Sequence, residues 1–516
     1  MASTTRGARQ NPSQGGAQEP IRTGTVIIGA GFSGLGMAIA LQNEGRHDFI
    51  VLEKGGGVGG TWWHNTYPGC ACDIPSHLYS FSFEQNSNWS KMWSGQPEIL
   101  EYLQGVADRH GVLPHVRLNT TVSGARWNDA THEWHVTTES GDEYIARYLV
   151  SGIGALHVPS IPKLQGIESF DGPSFHSAEW DHDVDLTGKR VAVIGTGASA
   201  IQFVPQIVDK VAELHVYQRT APWVLPRTNI RIPAVARSLF QRLPLARKAL
   251  RAQIYWGAEL GAYAMNRRPA LLKGVAFIGK RYIASQIKDP VLREKVTPNY
   301  TPGCKRLLGS DTYYKALTNP KTQVITEGID RVEGNTLVSR DGARRDVDVI
   351  IYGTGFSVDG SYRAVNLIGQ GGEDLHERWN AQGIQGHLGI TVADVPNAFI
   401  LLGPNTGLGH NSIVFMIESQ IRYAVQAMRL AESRGATSIA SKSAVQARFN
   451  DEVQRKLSTA VWATGGCKSW YVDEHGRNWT LWPGFTWEYW LRTRKVNAED
   501  FQFATVATQA AEPVNA

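Results

Sequence analysis

The sequence predicts an α/β fold of two Rossmann-like dinucleotide-binding domains with a helical insertion. Three observations lead there. A strand, a glycine-rich turn, a helix and a second strand follow one another between Thr25 and Glu53. The same succession returns between Val191 and Arg219, and 516 residues are too many for one ordinary core. Hydrophobic residues at 42% and charged residues at 19% suit a well-packed globular chain.

Residues 1–20 hold no apolar run and are rich in Gly, Gln and Ser, which reads as a disordered tail rather than a secretory signal. No later stretch reaches the roughly 18 uninterrupted apolar residues of a membrane span. A cytoplasmic protein with no stable membrane span is therefore expected. The net charge of +5 comes without a dense Lys/Arg block, which argues against a nucleic-acid partner. Of the four cysteines, Cys70 and Cys72 are one residue apart, whereas Cys304 and Cys467 lie far away. No redox or zinc spacing results, so buried or idle thiols in a reducing compartment are expected. The fifteen histidines show no metal spacing, and neither a G-x-S-x-G elbow nor an H-E-x-x-H helix is present. No metal site is expected.

In the first unit the apolar run Val26-Ile27-Ile28 meets Gly29-Ala30-Gly31-Phe32-Ser33-Gly34. A helical stretch from Leu35 to Asn43 follows, ending at Gly45, and Phe49–Leu52 forms the next strand, closed by Glu53 and Lys54. The glycines allow a tight turn and close approach of backbone to a pyrophosphate, and the helix N-terminus adds partial positive charge. In the second unit Val191–Ile194 meets Gly195-Thr196-Gly197-Ala198-Ser199-Ala200, and Leu214–Tyr217 forms the next strand. Ala200 stands where the third glycine would, a position that asks only for a small side chain.

The two units differ in charge at one equivalent place. Glu53 lies twenty-four residues after Gly29, and twenty-four after Gly195 comes Arg219, followed by Thr220. A carboxylate accepts hydrogen bonds from a free ribose 2′-hydroxyl and repels a 2′-phosphate, whereas a guanidinium binds that phosphate. The first unit is therefore read as an FAD site and the second as an NADPH site. A solvated Arg219 with NADH in the second site is the alternative. Two such sites imply an enzyme that moves hydride from nicotinamide to flavin.

Between the units lies Phe170-x-Gly172-x-x-x-His176-x-x-x-Trp180-Asp181. This stretch resembles the fingerprint of type I Baeyer–Villiger monooxygenases, in the class B flavoprotein monooxygenase family, and the resemblance runs from about Thr25 to about Phe501. Related flavin-containing and N-hydroxylating monooxygenases typically lack the tryptophan. Four further blocks look like the family's. Gly59-Gly60-Thr61-Trp62, then Tyr67-Pro68-Gly69 and Asp73, is similar to the segment that packs on the flavin, with Tyr79 as a further cofactor contact. Lys305-Arg306-Leu307 is similar to the block with the active-site arginine. Gly353-Thr354-Gly355-Phe356 resembles the second linker, and Lys468-Ser469-Trp470-Tyr471 a loop over the nicotinamide.

The resemblance implies that the chain converts a small-molecule ketone and O2 into an ester or lactone, through a C4a-peroxyflavin and a Criegee intermediate. It implies Arg306 and Asp73 as the catalytic pair, with Lys305 joining Arg219 on the 2′-phosphate and Trp470 touching cofactor or substrate. His176 would support conformation. A helix starting near Ser412 would aim its N-terminus at the flavin. The expected FAD domain is split, 21–155 and 355–516; the NADP domain covers 156–228 and 305–354. Residues 229–304 form the helical insertion, whose basic amphipathic face packs on the NADP domain or, less readily, touches lipid. A monomer or weak homo-oligomer is expected. The rivals are a monooxygenase acting on sulfur or nitrogen, a flavin reductase, and a non-catalytic flavin sensor.

Overall fold

A computed structural model describes residues 19–467, 469–473 and 476–506. Most of the expected tail, residues 1–18, and Lys468 lie outside the described residues. The fold is α/β, as the sequence predicts. Its larger sheet has eight strands, and Ile21–Ile28 runs parallel between Phe49–Leu52 and Glu143–Ser151. Glu143–Ser151 also pairs with the distant Ala398–Ile400, so residues far along the chain return to this sheet. The smaller sheet has five parallel strands in the order Thr322–Ile325, Glu213–Tyr217, Arg190–Ile194, Val349–Tyr352 and Ser174–His176.

In each sheet a strand buried on both faces runs into a glycine with positive φ, Gly29 at 94° and Gly195 at 107°. Only glycine enters that region without strain. The helices that follow, Phe32–Asn43 and Ala198–Ile207, pack their apolar residues on the sheets. Helix Ile413–Ser433, capped by the Ser412 hydroxyl, lies against Phe32–Asn43. Gly36 makes room there, since a Cβ on it would come 2.8 Å from Ile421 Cδ1. The strand Ala398–Ile400 stops short of Leu402, which turns to φ 60°.

The chain passes between the sheets twice, and the two crossings run side by side. Pro159 bridges Phe356, the Gly355 carbonyl accepts from Ser160 N–H at 2.9 Å, and Thr354 Oγ1 donates to the Ser160 carbonyl. Between residues 229 and 304 stand four helices, Ala234–Arg242, Pro244–Asn266, Leu272–Gln286 and Pro290–Val296.

One expectation is overturned. Cys304 and Cys467 are not idle thiols but a disulfide across 163 residues of sequence. The fold lays Thr301–Cys304 on Val461–Cys467, with Thr301 N–H donating to the Gly465 carbonyl, and glycine at 465 leaves room for Cys304. Linear distance hid this contact. Cys70 and Cys72 are free and buried, and burial raises both thiols, Cys70 to about 12.

Candidate active site

At the first turn, steric limits are severe. A Cβ on Gly34 would lie 1.8 Å from the Gly29 carbonyl oxygen, and one on Gly29 would lie 2.7 Å from the Gly152 oxygen. Gly31 caps the helix without any side-chain hydrogen bond, so the first-turn N–H groups are open to an anion. Phe32 and Ser33 are buried in that turn, and Gly60 approaches Gly31 backbone to backbone. Glu53 is buried and accepts from Ala30 N–H and Gly55 N–H, both at 2.7 Å. Burial alone would raise this carboxyl; the His64 ring, its Nε2 3.9 Å from Oε1, and the two backbone N–H groups outweigh it and hold it low. Lys54 and Thr61 are exposed beside it, and Trp62 is buried, donating to Tyr79 OH at 3.3 Å.

The second turn is more open. Gly197 caps its helix without a side-chain bond, Gly197 and Ala198 are exposed, and Ser199 is half-buried. Thr196 Oγ1 donates to the Thr220 carbonyl, and Ala200 packs under Gly353. Arg219 is exposed at the strand end. Lys305 stands near it: burial lowers the Lys305 ammonium, and the positive Arg219 lowers it further. Two like charges at this rim thus lie close enough to repel each other, a repulsion that a dianionic ligand would relieve.

Asp73 and Arg306, 233 residues apart in sequence, meet in a forked pair. Arg306 Nε donates to Oδ2 at 2.7 Å and Nη2 to Oδ1 at 2.9 Å, while Nη1 donates to the Leu408 carbonyl at 3.0 Å. The two side chains are 33% and 29% exposed, so the pair is reachable from outside. Asp73 raises the Arg306 guanidinium above its ordinary range, and burial only partly opposes this. Burial alone would raise Asp73; the charge of Arg306 and then its hydrogen bonds hold it low. Arg227, which donates to the Cys72 carbonyl and lies over the Trp93 ring, adds a second positive charge near Asp73.

A family profile described as pyridine nucleotide-disulphide oxidoreductase matches residues 26–247, the span of both glycine turns. A Baeyer–Villiger monooxygenase of Pseudomonas aeruginosa is 49% identical over 94% of this chain and 92% of its own length. The chain belongs to the Baeyer–Villiger monooxygenases. Another relative of that name, from Streptomyces coelicolor, is 45% identical over 94% of this chain and 95% of its own. A crystal structure of OTEMO complexed with FAD and NADP matches with TM-score 0.85 and 28% identity, covering 94% of this chain and all of that one.

In this Baeyer–Villiger monooxygenase the fingerprint stretch is a piece of scaffold. His176 is fully buried at the end of the strand Ser174–His176, beside Tyr352, and its ring meets Phe356 edge-on at 5.6 Å. Burial lowers its pKa, opposed by the Gly355 backbone. Gly172 is required because a Cβ would lie 2.3 Å from the Asp348 oxygen and 2.7 Å from the Phe170 ring. Trp180 packs between Phe175 and Phe203, and Asp181 accepts from Asp183 N–H in an exposed turn.

Two residues escaped the sequence reading. Gln202, on the helix after the second turn, donates to the Ala71 carbonyl and accepts from Tyr67 OH and Ala71 N–H, tying that helix to the segment that carries Asp73. Gly69 lets the segment lie there, since its Cβ would be 2.7 Å from the Gln202 oxygen. Arg227 is the second. Tyr471, read from the sequence only as part of the loop over the nicotinamide, is buried near Arg306, whose charge partly offsets the rise that burial imposes on its hydroxyl. Its neighbour Trp470 is 53% exposed with its ring 4.4 Å from that of Tyr471.

Proposed function

We propose that this monooxygenase turns a ketone and O2 into an ester or lactone at the expense of NADPH, with Arg306 as the fixed cation of the site and Asp73 as the group that positions it. The forked Asp73–Arg306 pair, still open to solvent, carries the reading. The first turn fits FAD, because it pairs open helix N–H groups with a buried acceptor in Glu53. Gly29, Gly31, Phe32, Ser33, Gly34, Glu53, Lys54, Gly60, Thr61, Trp62 and Tyr79 would hold that cofactor. The second turn fits NADPH. Gly195, Thr196, Gly197, Ala198, Ser199 and Thr220 would hold its backbone, and Arg219 with Lys305 its 2′-phosphate; Thr354, Gly355 and Trp470 would complete the contact.

When bound, FAD supplies hydride acceptance from NADPH and activation of O2. Arg306 keeps its charge at any working pH, so it can hold an oxygen anion without handing it a proton. An oxygen nucleophile needs that state to add to a carbonyl carbon; a protonated one reacts instead with sulfur or nitrogen. Asp73 takes two N–H groups of one guanidinium edge and so fixes its plane. The enzyme works in the cytoplasm, where NADPH is regenerated, as a monomer or weak homo-oligomer. Purified holoenzyme given NADPH, ketones of graded size and one sulfide should form ester or lactone from a ketone. Sulfoxide with no ester from any ketone would overturn the reading.

A further inference from the structure

The helices between Pro233 and Lys288 present a surface unlike the rest of the molecule. Among the described residues, twelve of the twenty-one exposed large hydrophobic side chains fall between Ile230 and Val291. Eleven Lys and Arg stand between Pro233 and Lys288 against one acid, Glu259, and Glu259 is buried. That segment carries +10 while the whole chain carries +5, which leaves −5 for everything else.

The apolar groups line up. On helix Pro244–Asn266, Leu245, Trp256, Leu260 and Tyr263 are 80%, 58%, 74% and 42% exposed and fall within an arc of about 60° at 3.6 residues per turn. Round one flank from that arc the helix buries Glu259, Ala262 and Met265. Glu259 accepts from Asn411 Nδ2 at 2.5 Å and Thr486 Oγ1 at 2.7 Å, and Met265 packs on Gly303 and Gly409. The stripe is therefore the outer face of a firmly seated helix. On the next helix Phe277 and Ile278 are exposed beside Lys273, Lys280 and Arg281, with the Arg281 guanidinium 5.8 Å from the Phe277 ring centre. Among the described residues, Arg242, Lys248, Arg268, Lys273 and Lys280 have no acidic partner.

We propose that this face docks on an anionic membrane, lying in its surface without crossing it. No helix among the described residues is long and apolar enough to span a bilayer. A lipid interface meets both halves of the pattern: acyl chains take Leu, Phe and Trp, and anionic headgroups take the Lys and Arg that snorkel around them. A second copy of the same face would set +10 against +10. A nucleic acid would leave Leu245, Leu260 and Ile278 against hydrated phosphates.

Co-sedimentation of the full-length holoenzyme with vesicles tests this without any assay of turnover. Vesicles of phosphatidylcholine with about 30 mol % phosphatidylserine should carry down at least about tenfold more protein than phosphatidylcholine alone. The triple change Trp256→Ser, Leu260→Ser, Phe277→Ser and the triple change Lys248→Gln, Lys273→Gln, Lys280→Gln should each weaken partition by about tenfold or more. Both sets are exposed, and an unchanged flavin absorbance and Tm would show that the fold survives. No association with anionic vesicles at low salt would overturn the proposal. So would heparin binding that the apolar triple leaves intact while vesicles fail to bind, which would mark an acidic macromolecule as the partner.

Discussion

The two glycine turns share one backbone plan and differ in nearly everything around it. The first is closed: Gly34 has no room for a methyl group, and Glu53 is buried with both oxygens accepting backbone N–H groups. The second is open: Ala200 replaces the tight glycine, the turn is exposed at Gly197 and Ala198, and two cations wait at the rim. The turn itself only needs to bring helix N–H groups to a phosphate. Retention and choice of ligand come from the residues behind it. A closed site suits a cofactor that stays, and an open one suits a cofactor that exchanges each turnover.

The largest expected effect is on the closed side. Gly34→Ala should destabilise by about 4 kcal/mol or more, because its methyl group collides with backbone that cannot move away. Flavin-to-protein absorbance ratio and Tm both fall. An unchanged ratio would mean that the turn is looser than its contacts require.

Glu53→Gln comes next, at about 1.5–3 kcal/mol, the usual worth of hydrogen bonds to a charged group. The pH dependence has a definite sign. Glu53 lies below its ordinary value of 4.5 in the folded chain, so its stabilisation is complete above that value and is lost as pH falls through the lowered one. Acid unfolding of the Gln variant should be correspondingly flatter in that window.

On the open side, Arg219→Ala should raise KM for NADPH by about tenfold to a hundredfold and leave KM for NADH nearly unchanged. Equal rises would dissolve the charge contrast between the turns. Smallest of all, Ala200→Gly should cost about 1 kcal/mol of helix propensity, with little change in KM for either nucleotide.

Much of this contrast was legible in the sequence, because each turn is written in consecutive residues. Gly29 to Glu53 and Gly195 to Arg219 need only counting. The Asp73–Arg306 pair did not emerge from spacing; it came from resemblance to a family, since nothing local joins residues 233 apart. The Cys304–Cys467 bridge and the Gln202 clamp on Ala71 stayed hidden for the same reason. Trp470 and Tyr471 show a different limit. Adjacent residues in a loop point different ways, and their order does not say which faces Arg306; the structure exposes Trp470 and buries Tyr471.

The central claim rests on the charge of Arg306, and one single-turnover experiment reaches it directly. The Arg306→Ala holoenzyme is reduced by NADPH, then mixed with O2 and a ketone the native enzyme accepts. Flavin should bleach at close to the native rate and reoxidise with hydrogen peroxide released and no ester formed. Ester at the native yield would show that the guanidinium is not what holds the reacting oxygen.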